Sequence, residues 1–498
     1  MTADHVDVLI VGAGLSGIAA AYYLQTRCPG QRYAILEGRA ASGGTWDLFR
    51  YPGVRSDSDM YTLGYSFRPW HNPKAIADGP SILAYIRETA AAYGIDRQIR
   101  FNHRVVRAEW SSADARWTVE AERGPAAEPV RLTCAFLYMC SGYYTYDRGY
   151  TPEWPGVEQF AGPIIHPQHW PPDLEYAGKQ VVVIGSGATA VTLVPALAQN
   201  AAHVTMLQRS PTYIVAQPAE DRLAAWLRRR LPSRLAHGVI RWIYVLTSMV
   251  YYHLMRWQPA LTKRSLIKLV RAQLGPAYDV ETHFTPRYNP WDERLCLVPD
   301  GDLFAAINAG TASVVTDHIA SFTPAGIRLR SGAELAADVV VTATGLVLKL
   351  FHGVQLVVDG RPVELSQTMS YKGMMFSDIP NFAAAIGYTN ASWTLKCELV
   401  ARYVCRLLNH MDQQGYVQCS PRKTDPTLTE EPVLSFTSGY VQRALPSLPR
   451  QGSRRPWKLY QNYLLDMIAF RFGKVDDGTM EFRRHRYAPR GATAEEGQ

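Results

Sequence analysis

An apolar strand that runs into a glycine turn and then a helix occurs twice in this chain, and no other feature restricts its fold as much. The first copy leads from Val6–Ile10 into Gly12-Ala-Gly14-Leu-Ser16-Gly17 and the helical stretch Ile18–Gln25. Gly12 permits the tight strand-to-helix turn, Gly14 lets a pyrophosphate approach the backbone, and Gly17 lets helix and strand pack closely. Free N–H groups at the helix start favour phosphate, and Ser16 adds a hydroxyl. A second strand, Tyr33–Leu36, ends in Glu37, 20 residues after Gly17, where a carboxylate accepts from ribose hydroxyls.

The second copy enters Gly185-Ser186-Gly187-Ala188-Thr189-Ala190 from Gln180–Ile184 and continues as the helical run Val191–Ala198. Ala190 stands for the third glycine, since a methyl group still allows close packing. The next strand, His203–Leu207, ends in Gln208-Arg209-Ser210 with no acid. An acid there would repel a 2′-phosphate, whereas Arg209 grips one through a forked ion pair. The turns begin 173 residues apart. They predict an α/β chain with two Rossmann-like dinucleotide-binding domains, FAD at the first and NADPH at the second. Hydride then passes from nicotinamide to flavin.

Composition removes several other classes. A chain of 498 residues that is 47% hydrophobic has material for two to four folded domains, which excludes wholesale disorder. Its seven cysteines include no CxxC pair, which argues against a disulfide framework, a metal ribbon or a redox dithiol. No metal site is expected, and a reducing, cytoplasmic compartment is the simplest fit. The N-terminus carries Asp4 and Asp7 and no basic leader. The net charge is +8, yet Asp221–Gly275 alone holds eleven Lys/Arg against one acid, or +10. No nucleic-acid-binding motif accompanies that charge, so no nucleic-acid partner is expected. Within it, Val239–Met255 is apolar and aromatic but shorter than the ~20 residues of a comfortable membrane span. The expected arrangement is a helical insertion over 221–285 lining the substrate entrance. A peripheral membrane surface supplying lipophilic substrates is the alternative.

Two longer motifs bear on the fate of the electrons. Gly43-Gly44-Thr45-Trp46-Asp47-Leu48-Phe-Arg-Tyr51-Pro52-Gly53-Val-Arg55-Ser-Asp57 resembles the [A/G]GxWxxxx[F/Y]P[G/M]xxxD signature of type I Baeyer–Villiger monooxygenases. Phe160-Ala-Gly162-Pro-Ile-Ile-His166-Pro-Gln-His-Trp170-Pro171 resembles their FxGxxxHxxxW[P/D] linker. The stretches Tyr288–Gly301 and Tyr388–Lys396 are similar to the ethionamide-activating branch of that family.

The resemblance implies an NADPH- and O2-dependent conversion of ketones to esters or lactones through a flavin peroxide, with sulfides or thioamides as further substrates. It implies Arg294 as the catalytic cation and Asp57 as the carboxylate that orients it. Gly44, Thr45, Trp46, Asp47 and Leu48 would run along the flavin and Val105 would meet adenine. Arg55 joins the NADP side, and His166 and Trp170 belong to a linker that moves with the coenzyme. Glu293 departs from the family, which usually has lysine there to help hold the NADPH phosphate; recognition then falls mainly on Arg209. The Tyr388–Trp393 stretch is expected to open a helix toward the flavin. A flavin N- or S-hydroxylase without ketone activity is one alternative, against which Trp170-Pro171 speaks. A non-oxygenating NADPH–flavin reductase is another. The domain map that follows is 1–148 plus 378–498 for FAD, 149–220 plus 286–377 for NADPH, and 221–285 for the insertion.

Overall fold

A strand covered on both faces of a parallel sheet has to be apolar where it is buried, and the two strands that enter the glycine turns are, over Val8–Val11 and Val181–Ile184. The computed structural model describes residues 4–434 and 436–484; the outer end of the expected FAD domain, 485–498, lies outside them, as does 1–3. Asp4–Val11 runs parallel to Tyr33–Leu36 on one side and to the long strand Glu128–Met139 on the other. Ile99–Arg100 extends the sheet past Tyr33–Leu36, and Phe382–Ala384 adds to the end of Glu128–Met139. The start of that long strand pairs instead with Arg116–Arg123, which is antiparallel to His103–Ser111. The second sheet has five parallel strands, with Gln180–Ile184 between His203–Gln208 and Val339–Thr342.

The two turns repeat each other in detail. The Gly12 N–H donates to the Leu36 carbonyl at 2.7 Å, and the Gly185 N–H donates to the Leu207 carbonyl at 2.8 Å. Both glycines have positive φ, +106° and +134°. A Cβ on Gly12 would lie 2.6 Å from the Cys140 carbonyl oxygen, and one on Gly185 would lie 2.3 Å from that of Ala343. The strands that close each unit, ending at Cys140-Ser-Gly142 and Ala343-Thr-Gly345, therefore press on the first glycine of each turn. The helices begin at Leu15 and Ala188, earlier than the apolar pattern indicates, because Gly14 and Gly187 take the capping positions.

The expected boundaries shift in two places. Gln355–Val358 pairs in parallel with His103–Ser111 and forms a hairpin with Arg361–Pro362, so the chain rejoins the first sheet well before 378. An antiparallel edge left open there would be a row of unpaired backbone groups. The insertion is also shared between units. Ala224, Ala236 and Ile240, on the helices Arg222–Arg230 and Ser233–Trp257, join the first core. Val270, Leu274, Val280 and Phe284, on Pro259–Leu274 and Val280–Phe284, join the second.

Arg241, which interrupts the apolar run, is the anchor of the long helix. Its guanidinium donates to the carbonyls of Tyr61 at 2.9 Å and Gly64 at 2.7 Å and pairs with Glu398 at 2.8 Å. A charge buried this deeply persists only when paired and hydrogen-bonded. Among the described residues no helix is long and apolar enough to cross a membrane, and all seven cysteines are buried and free.

Gly53 sits where the units meet, at φ +75°, and a Cβ there would stand 2.7 Å from Ala196 Cβ and 2.9 Å from the Thr192 carbonyl oxygen. Gly53→Ala is expected to cost about 1–3 kcal/mol more than Gly94→Ala, which shares a positive φ but has open space around it. Thermal unfolding of the two variants measures the difference; equal melting temperatures would contradict the packing described.

Candidate functional site

Ligands of open parallel sheets bind beyond the carboxyl ends of the strands, where the glycine turns lie. At the first turn there is a cavity of about 660 Å³, lined by Gly12, Gly14, Ser16, Glu37, Gly44, Thr45, Trp46 and Val105. Gly17 serves packing, since a Cβ there would fall 1.9 Å from the Gly12 carbonyl oxygen. Glu37 is 6% exposed and accepts from the N–H of Ala13 at 2.8 Å and of Arg39 at 2.9 Å. Burial raises its carboxyl pKa while those donors oppose the rise. Ser16 accepts from the Trp393 indole at 2.9 Å, which ties the turn to the start of the Trp393–Gln414 helix. The cavity also takes in Ser141 and Arg55, whose buried Oγ and Nε have no partner among the described residues. Buried polar atoms of this kind fit a polar ligand, because unsatisfied ones are costly.

Asp47 and Leu48 do not line this cavity. The segment Thr45–Leu48 is a single helical turn, and successive side chains of a helix cannot face one way. Asp47, with 3% of its side chain exposed, instead pairs with Arg39 at 2.5 Å, Arg87 at 2.7 Å and Arg50 at 3.0 Å.

Further along the same motif the chain straps the two units together. Tyr51 is buried in the second core. Arg55 pairs with Asp302 (Nη2–Oδ1 3.2 Å), the first residue of a helix of the second unit. Asp57 then meets Arg294 at 3.3 Å. Arg294 stands just before Cys296–Pro299, a strand parallel to Ile214–Gln217. The carboxylate therefore comes from one unit and the guanidinium from the other, and both line the cavity. With 42% of its side chain exposed, Arg294 is still held charged, because the Asp57 carboxylate raises its pKa more than desolvation lowers it. Tyr143 and Tyr440 lie within its field. Burial pushes the Tyr143 hydroxyl up to about 12, and its ring stacks on Trp393 at 4.9 Å.

Sequence reasoning missed several wall residues. Tyr143, Tyr144 and Tyr146 line the cavity, and their signal was an aromatic run directly after Cys140-Ser-Gly142. Lys396, only 4% exposed, also lines it and pairs with Asp466 at 2.6 Å; Asp466 accepts from the Tyr388 hydroxyl at 2.7 Å. Burial lowers the Lys396 pKa, and the Asp466 carboxylate opposes this. No local pattern marks Asp466 as its partner.

The second turn is more open. Ala188 reaches the cavity, whereas Gly185, Ser186, Gly187, Thr189, Ala190, Arg209 and Ser210 lie outside its lining. The Ser186 hydroxyl donates to the Ser210 carbonyl at 3.0 Å, closing the turn on the following strand. Arg209 is exposed. Burial raises the Glu293 carboxyl pKa and the charge of Arg209 lowers it, so the acid sits within the field of the expected phosphate ligand. His166 is held on both sides of its ring. Its Nδ1 accepts from the Gln168 N–H at 3.2 Å, which leaves Nε2 to donate to the Gly345 carbonyl at 3.1 Å. Burial lowers its pKa. Trp170 packs on Tyr176 and the second core, and neither linker residue lines the cavity.

Two glycine turns, a shared cavity and an arginine held across the seam define a protein with two dinucleotide-binding units. The family described as flavin-binding monooxygenase-like matches residues 62–248, and an NAD(P)-binding Rossmann-like domain matches 10–78. The FAD-containing monooxygenase EthA of Mycobacterium tuberculosis is 57% identical over 98% of this chain and 99% of its own length. The probable FAD-binding monooxygenase AlmA of Acinetobacter baylyi is 48% identical over 96% of each chain. The chain belongs to the EthA-like FAD-containing monooxygenases. Among solved structures, a steroid monooxygenase bound to NADP matches with a TM-score of 0.75 at 21% identity, covering 96% of this chain and 100% of that one. OTEMO in complex with FAD and NADP matches at 0.73 and 20% identity, covering 97% of this chain and 100% of its own. At that identity both speak for the fold alone.

Proposed function

We propose that this protein is a Baeyer–Villiger monooxygenase that binds FAD in the 660 Å³ cavity and NADPH on the second turn, and converts ketones to esters or lactones. Sulfides and thioamides are further substrates in this reading. Gly12, Gly14, Ser16 and Glu37 hold the FAD pyrophosphate and ribose, Val105 the adenine, and Gly44, Thr45 and Trp46 the flavin end. NADPH rests on Gly185–Ala190, with Arg209 and Ser210 at its 2′-phosphate and Arg55 at the seam. The two fold relatives, one bound to NADP and one to FAD and NADP, support this pairing. The domain map is the expected one, moved so that the strands from Gln355 return to the FAD unit.

FAD, once reduced by NADPH, supplies an oxidant made from O2. One oxygen atom enters between the carbonyl carbon and the carbon that migrates; the other leaves as water, with two electrons from NADPH. The protein must stabilise negative charge on the former carbonyl oxygen while that carbon moves. A preorganised guanidinium does this well, and it keeps its proton throughout. The Arg294–Asp57 pair at 3.3 Å carries the reading, because it fixes such a cation against the cavity from the opposite unit.

Arg294→Ala is expected to keep oxidising NADPH while ester yield falls at least ~100-fold and hydrogen peroxide takes its place. Ester yield at the parent level would remove Arg294 from the role. Glu293→Lys is expected to raise the NADPH over NADH ratio of kcat/KM by roughly 5-fold or more, since a charge that opposes the phosphate becomes one that attracts it. An unchanged ratio would place the phosphate elsewhere.

A further inference from the structure

Large apolar side chains left on a soluble surface are normally scattered singly. Seventeen are exposed among the described residues; eleven of them fall within 223–269 and four within 460–472. The second group has no marking in the sequence, and folding brings it to the first. Trp242, on the Ser233–Trp257 helix, meets Tyr463 at 6.0 Å, and Tyr463 opens the helix Tyr463–Phe472. On the long helix Trp242, Leu246, Val250 and Trp257 recur at helical spacing, on the side opposite buried His237, Ile240 and Arg241. Beyond Val245 no residue of that helix is buried, so its C-terminal half keeps one side uncovered. On the shorter helix Leu465, Ile468 and Phe472 share a face at i, i+3 and i+7 and are all exposed.

The charge around this surface has one sign. Arg222, Arg229, Arg230, Arg234, Arg264 and Lys268 are exposed and form no ion pair among the described residues, whereas Arg256 and Arg271 are paired. Two copies of such a face would repel each other. Lipid phosphate has the opposite sign, and tryptophan and tyrosine favour the boundary between headgroup and hydrocarbon. The surface also reaches the functional cavity: Tyr460 is 41% exposed and lines it. At its other end the long helix touches the loop ahead of Arg294, through Arg256–Asp292 at 3.3 Å and a Trp291 indole N–H donated to Met255 Sδ at 3.2 Å.

We propose that Arg222–Arg230, Ser233–Trp257, Pro259–Leu274 and Tyr463–Phe472 form one surface that docks on an anionic lipid bilayer, beside the cavity rim at Tyr460. Docking stands apart from the chemistry. Only its consequence, delivery of lipophilic ketones from the bilayer, rests on the monooxygenase reading.

The test is co-sedimentation of the holoenzyme with phosphatidylcholine vesicles made with and without phosphatidylglycerol. Binding is expected to be at least ~10-fold tighter to the anionic vesicles and to weaken as salt rises. Val250→Glu with Trp257→Glu should weaken it a further ~10-fold or more, with parent-like melting and parent-like NADPH oxidation on a water-soluble ketone. Arg229→Glu with Lys268→Glu should abolish the preference for the anionic lipid. No binding, equal binding to both vesicles, or a dimer in light scattering that the Val250→Glu, Trp257→Glu protein no longer forms would overturn the proposal. Vesicle binding without ester formation would leave docking intact and sink the chemistry instead.

Discussion

The Arg294 guanidinium and the Asp57 carboxylate, 3.3 Å apart, belong to different halves of the molecule. A pair of this kind on an open surface contributes little to stability. Here its worth lies in placement, because each partner is held by a separate structure. Arg294 is set by the parallel pairing of Cys296–Pro299 with Ile214–Gln217. Asp57 is set by the strap that starts at the first glycine turn, buries Tyr51 in the second core and pairs Arg55 with Asp302. A shift between the units would separate the charges before it disturbed either sheet.

Much of this was legible in the sequence because backbone geometry has few solutions. A strand that meets a helix through Gly-x-Gly has to turn at one place, and both turns lie where the spacing puts them. The strand limits Tyr33–Leu36 and Gln180–Ile184 hold as read. Less legible was anything set by long-range packing. Asp47 lies within the flavin motif, yet its carboxylate turns away to three arginines, of which Arg39 precedes the motif and Arg87 lies well beyond it. The return of Gln355–Val358 to the first sheet answers an open edge that no local pattern shows. Arg241 looked like a break in an apolar helix; burial against Glu398 makes it the peg that holds the helix down.

The one departure from the family pattern, Glu293, falls inside the second unit. Glu293 lies within the field of Arg209, where a lysine would have doubled the positive charge. The helices of 221–285, expected to belong to one unit, divide between two, and the face left uncovered is both apolar and basic. Glu293, Arg294 and the end of the long helix at Arg256 thus lie close together. Substitutions there should alter several properties together, unlike those in either core.

The most direct measurement of the central claim is turnover of a simple ketone under ¹⁸O2 with NADPH, followed by the mass of the product. One heavy oxygen in each ester, placed between the carbonyl carbon and the carbon that moved, is what a fixed cation over an oxygen-derived nucleophile predicts. Unlabelled product, or NADPH consumed with hydrogen peroxide as the sole outcome, would contradict it.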